Sequence, residues 1–311
     1  MSKDKYKVRN WKEYNEGLKQ RGSLTLWLPP DLVEQWKYTG KALRGGQYRY
    51  SHIAIEFCLT VHKVFHLPLR QTEGFVQSVF KMQNWHLAIP NYTTLCRRAA
   101  KMKLQLQHWS PTDTKDVDIA VDSTGLKVYG EGEWKVRKHG AGKHRTWMKL
   151  HVAVDEHSQH IQAAVLSTNA VDDASEVKAL IDQIPQGMLR TFKADGAYDK
   201  NKVRKLLYDA QVKQVIPPQH NAVISKSQDE YLQQRDDAIA MIAQSDRKQW
   251  KIHSGYHGRS KSETVMFRYK TIIGQHLTSR NMAQQQCEVI IGCRILNVML
   301  TTAKPISIRA A

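Results

Sequence analysis

Three acidic residues and one spaced set of polar residues hold the chemistry this sequence can do. Asp122 closes the alternating run Val117-Asp118-Ile119-Ala120-Val121-Asp122, with Val117, Ile119 and Val121 on one face and Asp122 on the other. Asp195 closes the short run Thr191-Phe192-Lys193-Ala194-Asp195 and precedes Gly196; Glu263 opens a helical stretch. Each acid taken singly has a plain alternative. Asp122 and Asp195 suit turns at strand ends, Asp-Gly being a common turn pair, and Glu263 completes a capping-box pattern with Ser260. The spacing around Glu263 is harder to explain that way. Tyr256, Arg259, Glu263 and Lys270 stand at −7, −4, 0 and +7, which places all four on one stripe of a helix that reaches back far enough. One acid, two cations and a phenol make a poor core face. They suit a metal ligand flanked by groups that bind phosphate.

Three carboxylates brought together repel one another and take up protons unless a cation joins them. Hard oxygen donors with room for water favour Mg²⁺ or Mn²⁺. Two such ions, about 3.5–4 Å apart, clamp the attacking and leaving oxygens of an in-line phosphoryl displacement. The expectation is therefore a metal site made of Asp122, Asp195 and Glu263, with two ions and no small-molecule cofactor.

The elements needed to bring these acids together are legible between residues 115 and 218. Strands are expected at 117–122, 146–154, 161–168, 191–195 and 214–217, with helices from Asp172 to about 184 and over 200–210. The order β-β-β-α-β-α-β predicts a mixed five-stranded sheet flanked by helices, three meandering strands followed by crossovers. That is the order of the ribonuclease H-like fold. In it the first and fourth strands are neighbours, so Asp122 and Asp195 meet at strand ends. Residues 219–255 read as a helical insertion or connection, followed by a long helix over about 260–282 and a closing helix over 286–301.

The residues before about 110 have another character. They carry 18 Lys+Arg against 7 Asp+Glu, a net of +11, out of +18 for the 311-residue chain. Helices are expected over 52–65, 71–82 and 91–102. Pro90 and Asn91 start the last of these, with Tyr92, Leu95, Cys96, Ala99 and Met102 on one face and Thr94, Arg97, Arg98 and Lys101 on the other. This is the layout of a helix-turn-helix, whose second helix presents short polar and cationic groups to the major groove; a solvated basic face is the alternative. The expected domains are an all-α helix-turn-helix-like unit at 1–110 and an α/β unit at 111–311. Asn91, Thr94, Arg97, Arg98 and Lys101 are the candidate DNA contacts of the first. Arg137, Lys138 and Arg145, interleaved with Trp134 and Trp147, are further candidates for backbone and base contact.

Composition narrows the classes. Apolar residues at 41% and charged residues at 24% are those of a globular chain, and a net charge of +18 attracts polyanions. No apolar run is long enough for a membrane span, and the first residues lack an apolar signal core, so a cytoplasmic protein is expected. Cys58, Cys96, Cys287 and Cys293 form no metal-binding spacing and are expected as reduced core thiols. His157 and His160 are expected in a turn.

The pattern Tyr256-x2-Arg259-x3-Glu263-x6-Lys270 resembles the signature of bacterial insertion-sequence transposases of the DDE class. The surrounding GYHGRSKSETVMFRYK, with DSTGLKVYGEGEWKVRKHG and KADGAYD, is most similar to the insertion-sequence family numbered five, in its nine-zero-three type subgroup. The resemblance runs over residues 20–300. It implies an enzyme that binds the terminal inverted repeats of its own element as double-stranded DNA, cuts a strand and joins the freed 3′-OH to target DNA, as a homodimer or higher assembly in the nucleoid. It also implies that Asp122, Asp195 and Glu263 hold the metal and that Tyr256, Arg259 and Lys270 contact phosphates. Two alternatives stay open: a catalytically silent DNA-binding regulator, and a nuclease of the same fold that performs no strand transfer.

Overall fold

The computed structural model describes residues 6–41, 44–106, 116–128, 147–227 and 229–309. The chain divides into two compact units, Met1–Leu104 together with Ile291–Ala311, and Gln105–Ile290.

In the first unit a short strand β1 (Tyr6–Val8) is followed by helices α1 (Trp11–Gln20), α2 (Leu24–Trp27), α3 (His52–Val64), α4 (Leu69–Met82) and α5 (Tyr92–Ala99). Helix α3 starts where expected because the Ser51 side chain accepts from the Ala54 N–H, an N-cap. Its Ala54, Ile55, Cys58 and Val61 are buried with Val76 and Phe80 of α4 and Leu95 of α5. Trp36 fills the space between, its ring 4.6 Å from that of Phe80. Asn91 caps α5 by accepting from the Thr94 N–H at 2.8 Å.

Three expectations for this unit need correction. It is not all-α, because β1 pairs antiparallel with Ser307–Arg309; a two-stranded ladder between ends 300 residues apart leaves no local signal. The residues from Ile291 on group with it and not with the sheet unit, as the expected 111–311 boundary had them. The ion pair of Arg294 with Glu56 and the 3.0 Å bond from Asn10 Nδ2 to the Lys304 carbonyl are among the ties. Finally, the faces of α5 are partly exchanged. Arg98 is buried on the Leu95, Ala99, Met102 stripe, whereas Cys96 and Tyr92 are exposed. The Arg98 guanidinium lies 3.9 Å over the Tyr48 ring and donates to the Tyr50 carbonyl at 2.8 Å. One bonded nitrogen and a planar face on a ring hold this arginine in the core, while Nε and Nη2 are buried with no partner among the described residues.

The second unit is built on a six-stranded mixed sheet: β2 (Val117–Val128), β3 (Trp147–Asp155), β4 (Ile161–Thr168), β5 (Leu189–Lys193), β6 (Lys213–Val215) and β7 (His276–Leu277). The order is β4-β3-β2-β5-β6, with β7 paired to β2 as the unexpected sixth strand. β2, β3 and β4 form an antiparallel meander, and β2-β5-β6 are parallel. Between them come helices α6 (Val177–Ile181) and α7 (Asn201–Asp209), which bury Val177, Leu180, Val203 and Leu207 against Val117, Ile119, Val121 and Phe192. The connection after β6 is helical, with α8 (Gln233–Gln244) and α9 (Arg247–His253).

Two further differences bear on the site. β2 runs twelve residues, so Asp122 lies midway along it rather than at its end. The helix that carries Glu263, α10 (Ser260–Arg268), does not reach 282. It ends in a π turn over Tyr269–Ile273, and after Gly274 the chain enters β7. A glycine at this position is a common helix stop. The closing helix, α11, is longer than expected, Met282–Thr302. Among the described residues no helix is long and apolar enough to cross a membrane.

Candidate active site

One edge of β2 is shared by two parallel partners. β5 pairs with it as far as Ala120↔Lys193, and β7 joins at Lys127↔His276. Asp122 stands in the stretch between. It alternates away from Val121, and so away from the core that α6 and α7 cover. Asp195 follows the end of β5 and caps the next turn, its Oδ1 accepting from the Ala197 N–H at 2.9 Å. A carboxylate at the carboxyl end of a parallel strand, beside a break in pairing, is where α/β sheets commonly place ligand-binding groups.

Glu263 reaches the same place from α10. Its carboxylate is bonded by Arg259 Nη2, four residues earlier, while Arg259 Nη1 lies 3.4 Å from Asp122 Oδ2. The capping-box alternative for Glu263 is not seen. Ser260 makes no cap bond, and the carboxylate turns to the guanidinium instead. Arg259 also lies 5.8 Å from the centre of the Tyr256 ring. Tyr256 to Arg259 form a 3-10 turn rather than the backward extension of an α-helix. Tyr256, Arg259 and Glu263 nevertheless share one neighbourhood, and Lys270 is exposed on the π turn two helical turns away.

The electrostatics follow from this crowding. Burial pushes the Asp122 carboxyl up from its ordinary value. The Ser123 N–H and Arg259 oppose the rise, and the charges of Asp195 and Glu263 reinforce it. The phenol of Tyr256 is likewise raised by burial, with Arg259 opposing. Buried Tyr198 is raised by burial and by the fields of Asp173, Asp122 and Asp195, and its hydroxyl has no partner among the described residues.

A second tier lies behind Asp122. Ser123 Oγ donates to Asp173 at 2.8 Å, and Lys149 Nζ pairs with the same carboxylate at 3.0 Å. Burial alone would raise Asp173, but these two donors hold it below its ordinary value. Burial pushes the neighbouring His151 down to about 4, so its ring is neutral at physiological pH; Nε2 lies 2.8 Å from Ser167 Oγ. From the sequence, Asp173 reads only as a helix start. Its link to Ser123 depends on strand register, which carries no local signal.

The fit of these groups to a divalent cation rests on donor chemistry. Three hard oxygen donors act on one another electrostatically, with a guanidinium as counter-charge between two of them. Among the described residues no three His, Cys, Asp or Glu side chains stand as a ready metal-ligand set. Arg259 holds the place between Asp122 and Glu263.

The other candidates are dispersed. Asn91, Thr94, Arg97 and Lys101 lie on or next to α5 in the first unit, with Arg97 and Lys101 exposed. Arg98 is buried and is removed from the set of surface contacts. Arg137, Lys138 and Arg145 lie outside the described residues. His157 is in a turn, its Nε2 3.0 Å from Asp118.

Two family models, each described as a transposase DDE domain, match this chain, one over residues 19–131 and the other over 113–298. The second match covers more than half of the chain, and the mixed α/β sheet lies within it. The chain belongs to the DDE-type insertion-sequence transposases, DNA-cleaving and DNA-transferring enzymes. Among solved structures, a cryo-EM structure of a piggyBac transposase synaptic complex with hairpin DNA is similar over 92% of this chain and 75% of that one, at 9% identity and a TM-score of 0.34.

Proposed function

We propose that this transposase binds the terminal inverted repeats of its own insertion sequence, cleaves DNA strands there and joins the freed 3′-OH ends to target DNA. The observation that carries the reading is the meeting of Asp122 and Glu263 on Arg259, with Asp195 acting on Asp122 from the neighbouring parallel strand. The sheet order supports a ribonuclease H-like catalytic unit, and the similarity of GYHGRSKSETVMFRYK supports the nine-zero-three type subgroup of family five.

Asp122, Asp195 and Glu263 would hold Mg²⁺ or Mn²⁺, two ions per site. When bound, these ions supply Lewis acidity and a nucleophilic water or hydroxyl for phosphoryl transfer. Arg259 has two roles open to it on one guanidinium. It balances the acids in the free protein, and it presents planar paired donors to a phosphate once DNA enters. Tyr256 and Lys270 flank it and bind the backbone on either side. Asn91, Thr94, Arg97 and Lys101 position a duplex on the helix-turn-helix-like unit. Two DNA ends need at least two protomers, so the working form is a homodimer or larger, acting at the nucleoid.

The test uses a supercoiled plasmid carrying the two sequences that flank this reading frame in its genome. With Mg²⁺ the wild type is expected to release cut ends and form joined products. Asp122→Asn is expected to retain end binding and lose both steps. Nicking without joining would assign the protein to the nuclease class. Binding by the wild type with no cleavage would make it a regulator, and cleavage by Asp122→Asn would remove the metal assignment.

A further inference from the structure

The turn that carries Tyr256 and Arg259 is held by a buried lysine and a half-buried carboxylate to which the reaction chemistry assigns no part. Lys193 is the last residue of β5, two before Asp195, and only 7% exposed. Its Nζ bonds the Glu156 carboxylate and donates to the main-chain carbonyl of Gly255 at 2.9 Å. Glu156 sits in the turn after β3, and its N–H donates to the Asp118 carbonyl at 2.8 Å. Gly255, at φ 68°, takes the left-handed conformation that opens the 3-10 turn. Gly258, in the middle of that turn, passes so close to Glu156 that a side-chain carbon there would collide with the carboxylate.

A lysine this deep loses hydration that one carboxylate repays only in good geometry, and an apolar pair of similar volume usually serves stability as well or better. What an apolar pair could not do is reach a main-chain oxygen and a carboxylate at once. We infer that Lys193 and Glu156 are positioning residues, a clamp that sets the Tyr256–Arg259 turn against the sheet and so fixes where the Arg259 guanidinium meets Asp122 and Glu263. The functional half of this inference rests on the reading of Asp122, Arg259 and Glu263 given above. The structural half does not.

The decisive measurements are hydrogen–deuterium exchange by mass spectrometry on the full chain and single-turnover cleavage of the flanking-end plasmid. Lys193→Met, Glu156→Gln and Gly258→Ala are each compared with the wild type. In all three, peptides spanning 255–263 are expected to exchange about tenfold faster, while peptides from β3 and β4 keep their protection. Cleavage is expected to fall on the order of 100-fold, the usual effect of a misplacement near 1 Å, with affinity for the same plasmid ends within about threefold. If Lys193→Met does not fold, Glu156→Gln and Gly258→Ala decide the matter. Unchanged exchange at 255–263 in a folded variant overturns the clamp. So does acceleration spread evenly through the sheet, or faster local exchange with full cleavage. Should the wild type itself fail to cut DNA, the exchange result still decides whether the clamp exists, while the catalytic reading fails separately.

Discussion

Arg259 and Asp122, 137 residues apart in the chain, meet with a guanidinium nitrogen 3.4 Å from a carboxylate oxygen. The contact does not fully compensate Asp122, whose carboxyl stays above its ordinary value because burial and two acidic neighbours outweigh it. A carboxyl raised in the folded state favours the fold while protonated and weakens it as pH rises through the folded pKa. Asp122→Asn is therefore expected to melt higher than the wild type at pH 7 in a chelating buffer, by about 2–4 °C, with the difference vanishing below about pH 4. Equal melting temperatures at pH 7 would contradict the crowding of the acids.

Asp199 closes the segment that carries Asp195. It accepts from Arg204 at 2.9 Å and pairs with Arg235 at 3.3 Å, and the Asp199 and Arg204 side chains are 2% and 1% exposed. Burial pushes the Arg204 guanidinium down, and Asp199 holds it charged. Asp199→Ala strands that charge, so urea unfolding should report a loss of about 3–5 kcal/mol. A loss under about 1 kcal/mol would show that the network is dispensable.

The three cations on and just after α5 should separate by experiment. Arg97→Gln and Lys101→Gln are expected to leave stability within about 0.5 kcal/mol and to reduce the salt slope of DNA binding by about 0.9 each. Arg98→Gln should cost about 1–3 kcal/mol of stability, since it removes a buried bond to a main-chain carbonyl, and leave the salt slope unaltered in the protein that remains folded. A slope change for Arg98→Gln alone would restore it as a DNA contact.

The cysteines give a direct check on packing. Cys58, Cys287 and Cys293 are buried and Cys96 is exposed. Burial pushes the thiols of Cys58 and Cys293 far up, which suppresses the reactive thiolate. Titration with a disulfide reagent should modify one thiol rapidly in the native protein and all four in denaturant. Cys96→Ser should abolish the fast phase, and two fast thiols would place a second cysteine at the surface.

Much of the sheet is legible in the sequence because its strands obey local rules. Val117, Ile119 and Val121 alternate, β3 and β4 are apolar runs of ordinary length, and Asn91 marks a helix start with a side chain that does cap. What escapes is set by contacts between distant segments. β7 is two residues long, and only its pairing with Lys127 and Val128 makes it a strand. The periodicity of α5 puts Arg98 on either margin of the polar face; Tyr48 and the Tyr50 carbonyl, some 50 residues earlier, pull it inward. In the site, the Tyr256, Arg259, Glu263, Lys270 spacing is visible at once. The roles of Lys193, Glu156 and Asp173 are not, because each depends on register or on a turn that brings a remote carbonyl or hydroxyl within reach.

The return of residues after Ile291 to the first unit has a bearing on biosynthesis. The segment that pairs with Glu56, and the strand that pairs with Tyr6–Val8, leave the ribosome only after the whole sheet unit that separates them from their partners. The first unit is thus completed only after the sheet unit has been made, and a polypeptide translated as far as the sheet lacks part of the scaffold behind its own α3. Full assembly of that scaffold waits for residues 291–309, so a product terminated before them would carry the acids of the sheet on a molecule whose basic unit had never closed.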